Sequence, residues 1–158
     1  MTMTITSTLQ SYLRENGVKP QTVTHEKTLS ASRTAQASHV SGDCVAKGVL
    51  VKDAEGYLLA VIPATHHLEM DSLSRLTGRE LRLADEDEVA DAFPDCALGA
   101  VPPMGTPYGL ETVVDDSLAS QPETFLEGGD HATLLQVTAE DFAKLTRGAR
   151  HGAFSHHV

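Results

Sequence analysis

Apolar positions along this chain change period several times, and each change marks an element. Leu9, Tyr12 and Leu13 recur at i, i+3 and i+4, which predicts a helix over 8–16, capped by Thr6 or Ser7 and ended by Gly17. A short strand is expected after Pro20, at Thr22–His25, and a weaker helix near Arg33–His39. Cys44–Val51 is rich in β-branched residues and reads as a strand; Asp53–Gly56 is a turn, and Tyr57–Ile62 is the return strand. The near-continuous apolar run of that second arm places it mid-sheet.

The second half alternates faster. Asp71 can cap a helix carrying Leu73 and Leu76 and closed by Gly78. Glu80–Leu83 is a short alternating strand, and Asp85 with Glu88 is a capping-box pair opening a helix with Val89 and Phe93, ended at Pro94. Gly99–Gly109 holds three prolines and three glycines in eleven residues, so it is a loop of defined shape. Strands are expected near Glu111–Val114 and Ala132–Val137, then a helix capped by Thr138 with Phe142 and Leu145 inward, stopped by Gly148. Residues 149–158 read as a flexible tail. Strands occur both in a hairpin and alternating with helices. The expected fold is therefore α+β (mixed α/β), one mixed sheet flanked by helices, in a single domain over 1–158.

Composition narrows the function classes. A net charge of −10 argues against non-specific binding to nucleic acid, so any RNA partner must meet a local basic patch. The basic candidates are Arg75, Arg79, Arg82, Lys144, Arg147 and Arg150. No apolar run is long enough to span a membrane, and the first ten residues have no basic, apolar leader pattern; cytoplasmic residence is the expectation. Cys44 and Cys96 form no C-x-x-C pair and are expected to be buried thiols.

Three places can carry chemistry. Lys47 stands inside an apolar strand, sharing a face with Val45, Val49 and Val51, while Ala46, Gly48 and Leu50 share the other. A lysine among valines either snorkels to water or reaches an anion in a cleft. The Gly99–Gly109 loop is either a plain connector or a stiff frame that aims backbone N–H groups at one point, as an oxyanion site does. His131 follows the glycine-rich bend Gly128-Gly129-Asp130, which can bring it to a cleft rim. His66 and His67 are adjacent and would face opposite ways on a strand; no zinc-type spacing occurs, and no metal or cofactor is expected. No nucleophile motif or phosphate loop is present.

Val45-Ala-Lys-Gly-Val-Leu-Val51 is followed by Gly99-Ala-Val-Pro-Pro-Met-Gly105, the bend Gly128–His131 and the helix start Thr138–Phe142. In order and spacing this resembles the YbaK / prolyl-tRNA synthetase-associated domain family over about residues 8–147. The resemblance implies a YbaK-like fold, a mostly antiparallel mixed sheet or partly closed barrel. It implies a hydrolase, an aminoacyl-tRNA deacylase that cleaves the ester of mischarged tRNA in trans, of the alanyl- or cysteinyl-tRNA(Pro) type. The partners it implies are the tRNA acceptor end and, for tRNA affinity, an aminoacyl-tRNA synthetase. Lys47 and Gly99 match the catalytic positions; Ala100, Val101, Pro102, Pro103, Gly129 and His131 match substrate-binding ones. The substrate's own ribose hydroxyl assists in such enzymes, in keeping with the missing base motif. The acidic charge and the unusual Asp130 depart from the pattern. The competing reading is a non-catalytic tRNA- or synthetase-binding module of the same fold.

Overall fold

The computed structural model describes residues 6–24, 41–97, 101–129 and 133–157. Helix α1, Ser7–Glu15, is capped by the Thr6 side chain, which accepts from the Leu9 N–H, and it buries Leu9 and Leu13. Strand β1 is Gln21–Thr24. The expected helix near Arg33–His39 lies outside the described residues.

The hairpin forms as its pattern predicts. Strand β2, Val45–Lys52, pairs antiparallel with β3, Tyr57–Pro63. The Asp53 carboxylate accepts from Glu55 and Gly56 N–H at the turn, and Arg79 grips it through Nε at 2.8 Å and Nη2 at 2.9 Å. That paired geometry holds the Asp53 carboxyl well below the usual carboxylate range.

Short strand β4, His66–Leu68, leads to α2, Met70–Thr77. The helix is capped by Glu69 rather than Asp71, which sits in its first turn. A tertiary bond moves the start: the Glu69 N–H donates to the Phe154 carbonyl at 2.7 Å. The strand expected at Glu80–Leu83 shortens to β5, Arg82–Leu83. Helix α3, Glu86–Ala92, carries the full Asp85/Glu88 capping box. Asp85→Ala should cost about 1 kcal/mol in denaturant titration, the usual value of a lost cap. A loss below about 0.3 kcal/mol would mean that Glu88's pairing with Lys52 and Arg82 holds the helix end alone.

Strand β6, Glu111–Asp115, is followed by the one-turn helix α4, Asp116–Ala119, and by β7, Glu123–Glu127. Neither α4 nor β7 is foreseen by periodicity, because each is too short to show a repeat. Strand β8, Thr133–Thr138, and helix α5, Ala139–Leu145, follow as expected, with Thr138 capping through Asp141 N–H.

The chain end corrects the sequence reading. Residues 149–158 were expected to form a flexible tail; instead β9, Arg150–Gly152, extends the sheet beside β6, and β10, Ser155–His157, pairs with β4. Phe154 between them is fully buried, and its N–H donates to Asp115 Oδ1 at 2.9 Å. One buried aromatic outweighs a polar composition that reads as unstructured.

The main sheet runs β1-β8-β7-β2-β3-β6-β9, with β5 attached to β2. It mixes antiparallel pairs with the parallel pairs β2–β7, β3–β6 and β6–β9, and five α-helices among the described residues flank it. As the apolar run of Tyr57–Ile62 predicts, β3 is internal. One face of β2 gives Ala46 and Leu50 to a core with α1, α4 and α5. The other face gives Val51, with Val49 packed alongside, to a cluster closed by Leu73 and Phe154. Val45 joins a third, separate cluster with Ala64, Phe125 and Leu134.

Candidate active site

The sheet is split beside Lys47. Strand β7 pairs with β2 only at Val45 and Ala46, then turns away into Gly128 and Gly129. Strand β5 joins the same edge only at Val51 and Lys52. Between them, residues 47–49 of β2 have no strand partner on that edge among the described residues, while the Leu50 carbonyl accepts from Ala84 N–H at 3.0 Å. A backbone edge left open inside a sheet is a place where another chain or ligand can dock.

Lys47 stands at this split. Alternation puts its side chain in the gap between the Val45 cluster and the Val49–Val51 cluster. It is half-buried, and its ammonium donates to the His66 carbonyl at 3.3 Å. No carboxylate pairs with it among the described residues, and burial draws its pKa below the ordinary lysine value. The ammonium is thus partly desolvated, with a backbone carbonyl as its partner. The gap is polar around it. Thr65 donates to Asp43 at 2.5 Å, His157 lies 3.2 Å from Asp43, and the His66 ring meets Ser155 Oγ at 2.8 Å. As expected on a strand, His66 and His67 point opposite ways, edge-on to His157 and His156 respectively.

The proline loop reaches the same split from the opposite face. A Cβ on Gly48 would stand 3.0 Å from the Pro102 carbonyl and 3.0 Å from Val101 Cγ1, so the bare glycine lets the loop lie directly on β2. Val101 packs on the α1-side core, while Pro102 and Pro103 are buried. The two buried prolines fix the loop's path. Gly48→Ala should push the Pro102 carbonyl outward by a few tenths of an ångström. The expected cost is about 1–3 kcal/mol in denaturant titration, as for other overpacked sites. An unchanged unfolding midpoint would show that the loop is not seated on the strand.

The other bank of the split is the glycine bend. Gly129 is buried at φ +91°, which favours glycine, and its carbonyl accepts from Ala97 N–H at 2.8 Å. Lys47 thus lies on one face of β2 and Val101 and Pro102 of the loop lie on the other, at Gly48, while Gly129 follows the end of β7. Gly99, Ala100 and His131 lie outside the described residues.

Among the described residues no cluster of His, Cys, Asp and Glu is placed to hold a metal ion. No described helix is long and apolar enough to cross a membrane. The cysteines differ from expectation: both are half-buried rather than buried. Burial pushes the Cys44 thiol up and takes Cys96 to about 11, so neither is a ready thiolate. Four of the six basic candidates are already engaged. Arg79 is held by Asp53 and Glu111, Arg82 by Glu88 and Lys144 by Asp141, and Arg150 donates to the Leu76 carbonyl.

The sequence matches the aminoacyl-tRNA editing domain over residues 25–145, most of the chain. The chain belongs to the aminoacyl-tRNA editing domain family. Solved structures agree with this assignment. A candidate trans-editing enzyme for prolyl-tRNA synthetase is 27% identical, with a TM-score of 0.81 over 94% of this chain and 95% of that one. The hypothetical protein APE2540 is 25% identical, with a TM-score of 0.83 over 95% of this chain and 100% of that one. Among curated proteins, none matches. The YbaK-like fold and family implied by the Lys47 strand and the diproline loop are therefore shown for this editing domain. What sequence reasoning missed is the split itself, because β7 has no signal beyond the short run Thr124-Phe125-Leu126 between two glutamates.

Proposed function

We propose that this editing domain is a trans-acting deacylase that hydrolyses the ester of mischarged tRNA, with small aminoacyl groups such as alanyl or cysteinyl on tRNA(Pro) as substrates. The observation that carries this reading is Lys47: a half-buried ammonium at a split in the sheet, bonded to a carbonyl and paired with no carboxylate among the described residues. Such a charge is stabilised when an anion arrives, and the acceptor end of tRNA brings phosphate. Specificity by a second, small site has a physical rationale. One methylene is worth only about 1–3 kcal/mol in a synthetase pocket, so a smaller amino acid is not strongly rejected there.

In this reading water adds to the ester carbonyl, the bond to the ribose oxygen breaks, and free amino acid and uncharged tRNA leave. Backbone N–H groups of Gly99, Ala100 and Val101 stabilise the oxyanion, Pro102 and Pro103 stiffening the loop that carries them, and Lys47 holds the phosphate. His131 and Gly129 border the amino-acid side chain, and the substrate's ribose hydroxyl assists the water. Binding of whole tRNA draws on a synthetase partner, because the chain carries a net charge of −10 and Arg79, Arg82 and Lys144 are each held by a carboxylate.

The test is release of labelled amino acid from a panel of alanyl-, cysteinyl- and prolyl-tRNA(Pro). Rapid release of the small misfits with cognate prolyl-tRNA spared is the expected result. A folded protein that binds these tRNAs but releases nothing would instead support a non-catalytic binding module.

A further inference from the structure

The bank of the split formed by Gly129 is held by a small set of polar side chains outside the site. The Tyr108 hydroxyl lies 2.7 Å from Asp95 Oδ1, 3.3 Å from Cys96 Sγ and 3.2 Å from Thr6 Oγ1. The phenol has one proton, which goes to the carboxylate; its oxygen then accepts from the Thr6 hydroxyl, and the single Cys96 thiol proton is shared between that oxygen and Asp95 Oδ1 at 3.7 Å. Asp95 Oδ2 also accepts from Thr8 N–H at 3.3 Å, in the first turn of α1. Burial tends to raise the Asp95 carboxyl, but bonds from Thr8, Tyr108 and Cys96 prevail and hold it below its ordinary value. Burial raises the Tyr108 phenol and the Cys96 thiol, so both keep their protons as donors at neutral pH.

This set is in contact with the bend. A Cβ on Gly129 would come within 2.7 Å of Thr6 Cγ2 and 3.3 Å of Cys96 Sγ, so Gly129 rests directly on both. The residue after Cys96, Ala97, donates to the Gly129 carbonyl. Phe93 backs the Tyr108 ring edge-to-face, with centroids 4.8 Å apart.

We propose that Tyr108, with Asp95 and Cys96, is a positioning element that sets where Gly129 stands and so decides which aminoacyl groups this site accepts. It rests on the reading above, in which Gly129 borders the amino-acid side chain. Tyr108 touches no reacting atom; it acts through Cys96 and Thr6 on the bend. Loosening it widens the amino-acid end of the opening without removing Lys47 or the loop.

The experiment measures kcat/KM for alanyl-tRNA(Pro) and prolyl-tRNA(Pro) with wild type, Tyr108→Phe, Cys96→Ser and Cys96→Ala. Tyr108→Phe keeps the ring on Phe93 and removes the proton to Asp95. It should lower the alanyl-to-prolyl ratio about tenfold, in line with the sensitivity of aligned sites to sub-ångström misplacement. Cys96→Ser keeps a donor and should retain most of the ratio; Cys96→Ala should lose it. If Tyr108→Phe fails to fold, the serine–alanine comparison decides. Equal ratios in all variants, even with lower rates, overturn the proposal, since a purely structural role lowers both substrates together. A wild type inactive on every ester overturns the deacylase reading and this inference with it, whereas an active wild type with unmoved ratios overturns this inference alone.

Discussion

Replacing Lys47 with alanine will lower kcat/KM for deacylation by about a hundredfold or more, the order of loss when a contact that positions the substrate is removed. The protein will stay folded, because the side chain contributes a charge that burial disfavours. Lys47→Met should leave the melting temperature at or above wild type while abolishing activity, and that pairing separates a functional lysine from a structural one. A fall in stability with Lys47→Met, or full activity in Lys47→Ala, would remove the lysine from the mechanism.

The pH dependence follows from the same burial. The folded-state pKa of Lys47 lies below its ordinary 10.5, so the folded protein releases this proton before the unfolded chain does. Stability contributed by this group therefore rises with pH through the interval between the folded and unfolded values. Activity runs the other way: it should fall on the alkaline side at a pH below 10.5, as the ammonium is lost. A flat alkaline limb up to 10.5 would mean that the charge is not needed.

Phe154→Ala will destabilise the domain by about 3–5 kcal/mol, the range for an aromatic removed from a core. For a domain of this size that is a fall in melting temperature on the order of 10 °C. Phe154 is fully buried with Val51, Ile62, Leu73 and Val113, and its backbone ties Asp115 to Glu69 through two hydrogen bonds. Deleting residues 153–158 should do at least as much, since it also removes β10 from β4. Calorimetry on both variants decides the matter. A melting temperature within 2 °C of wild type, where that margin is about the shift from 0.5–1 kcal/mol, would show that the chain end is not part of the core.

Much of the candidate site is written in local residues. Lys47 next to Gly48 in a valine strand, the diproline loop and the double glycine each carry a signal that does not depend on distant partners. Backbone chemistry makes them legible: a glycine marks a close approach, and prolines mark a stiff path. Their relation to one another is not legible. Nothing in the sequence says that Lys47 and the loop lie on opposite faces of β2, or that Pro102 and Pro103 are buried.

By itself the sequence determined the hairpin, the capped helices at Thr6, Asp85 and Thr138, and the family, because caps, turns and periodicity act within a few residues. Tertiary structure alone decided the start of α2, the strands β7, β9 and β10, and the burial of Phe154. Each is too short to form unless a partner far along the chain supplies its hydrogen bonds and apolar contacts. The split beside Lys47 belongs to this second group, for it exists only where β7 leaves β2 before β5 arrives.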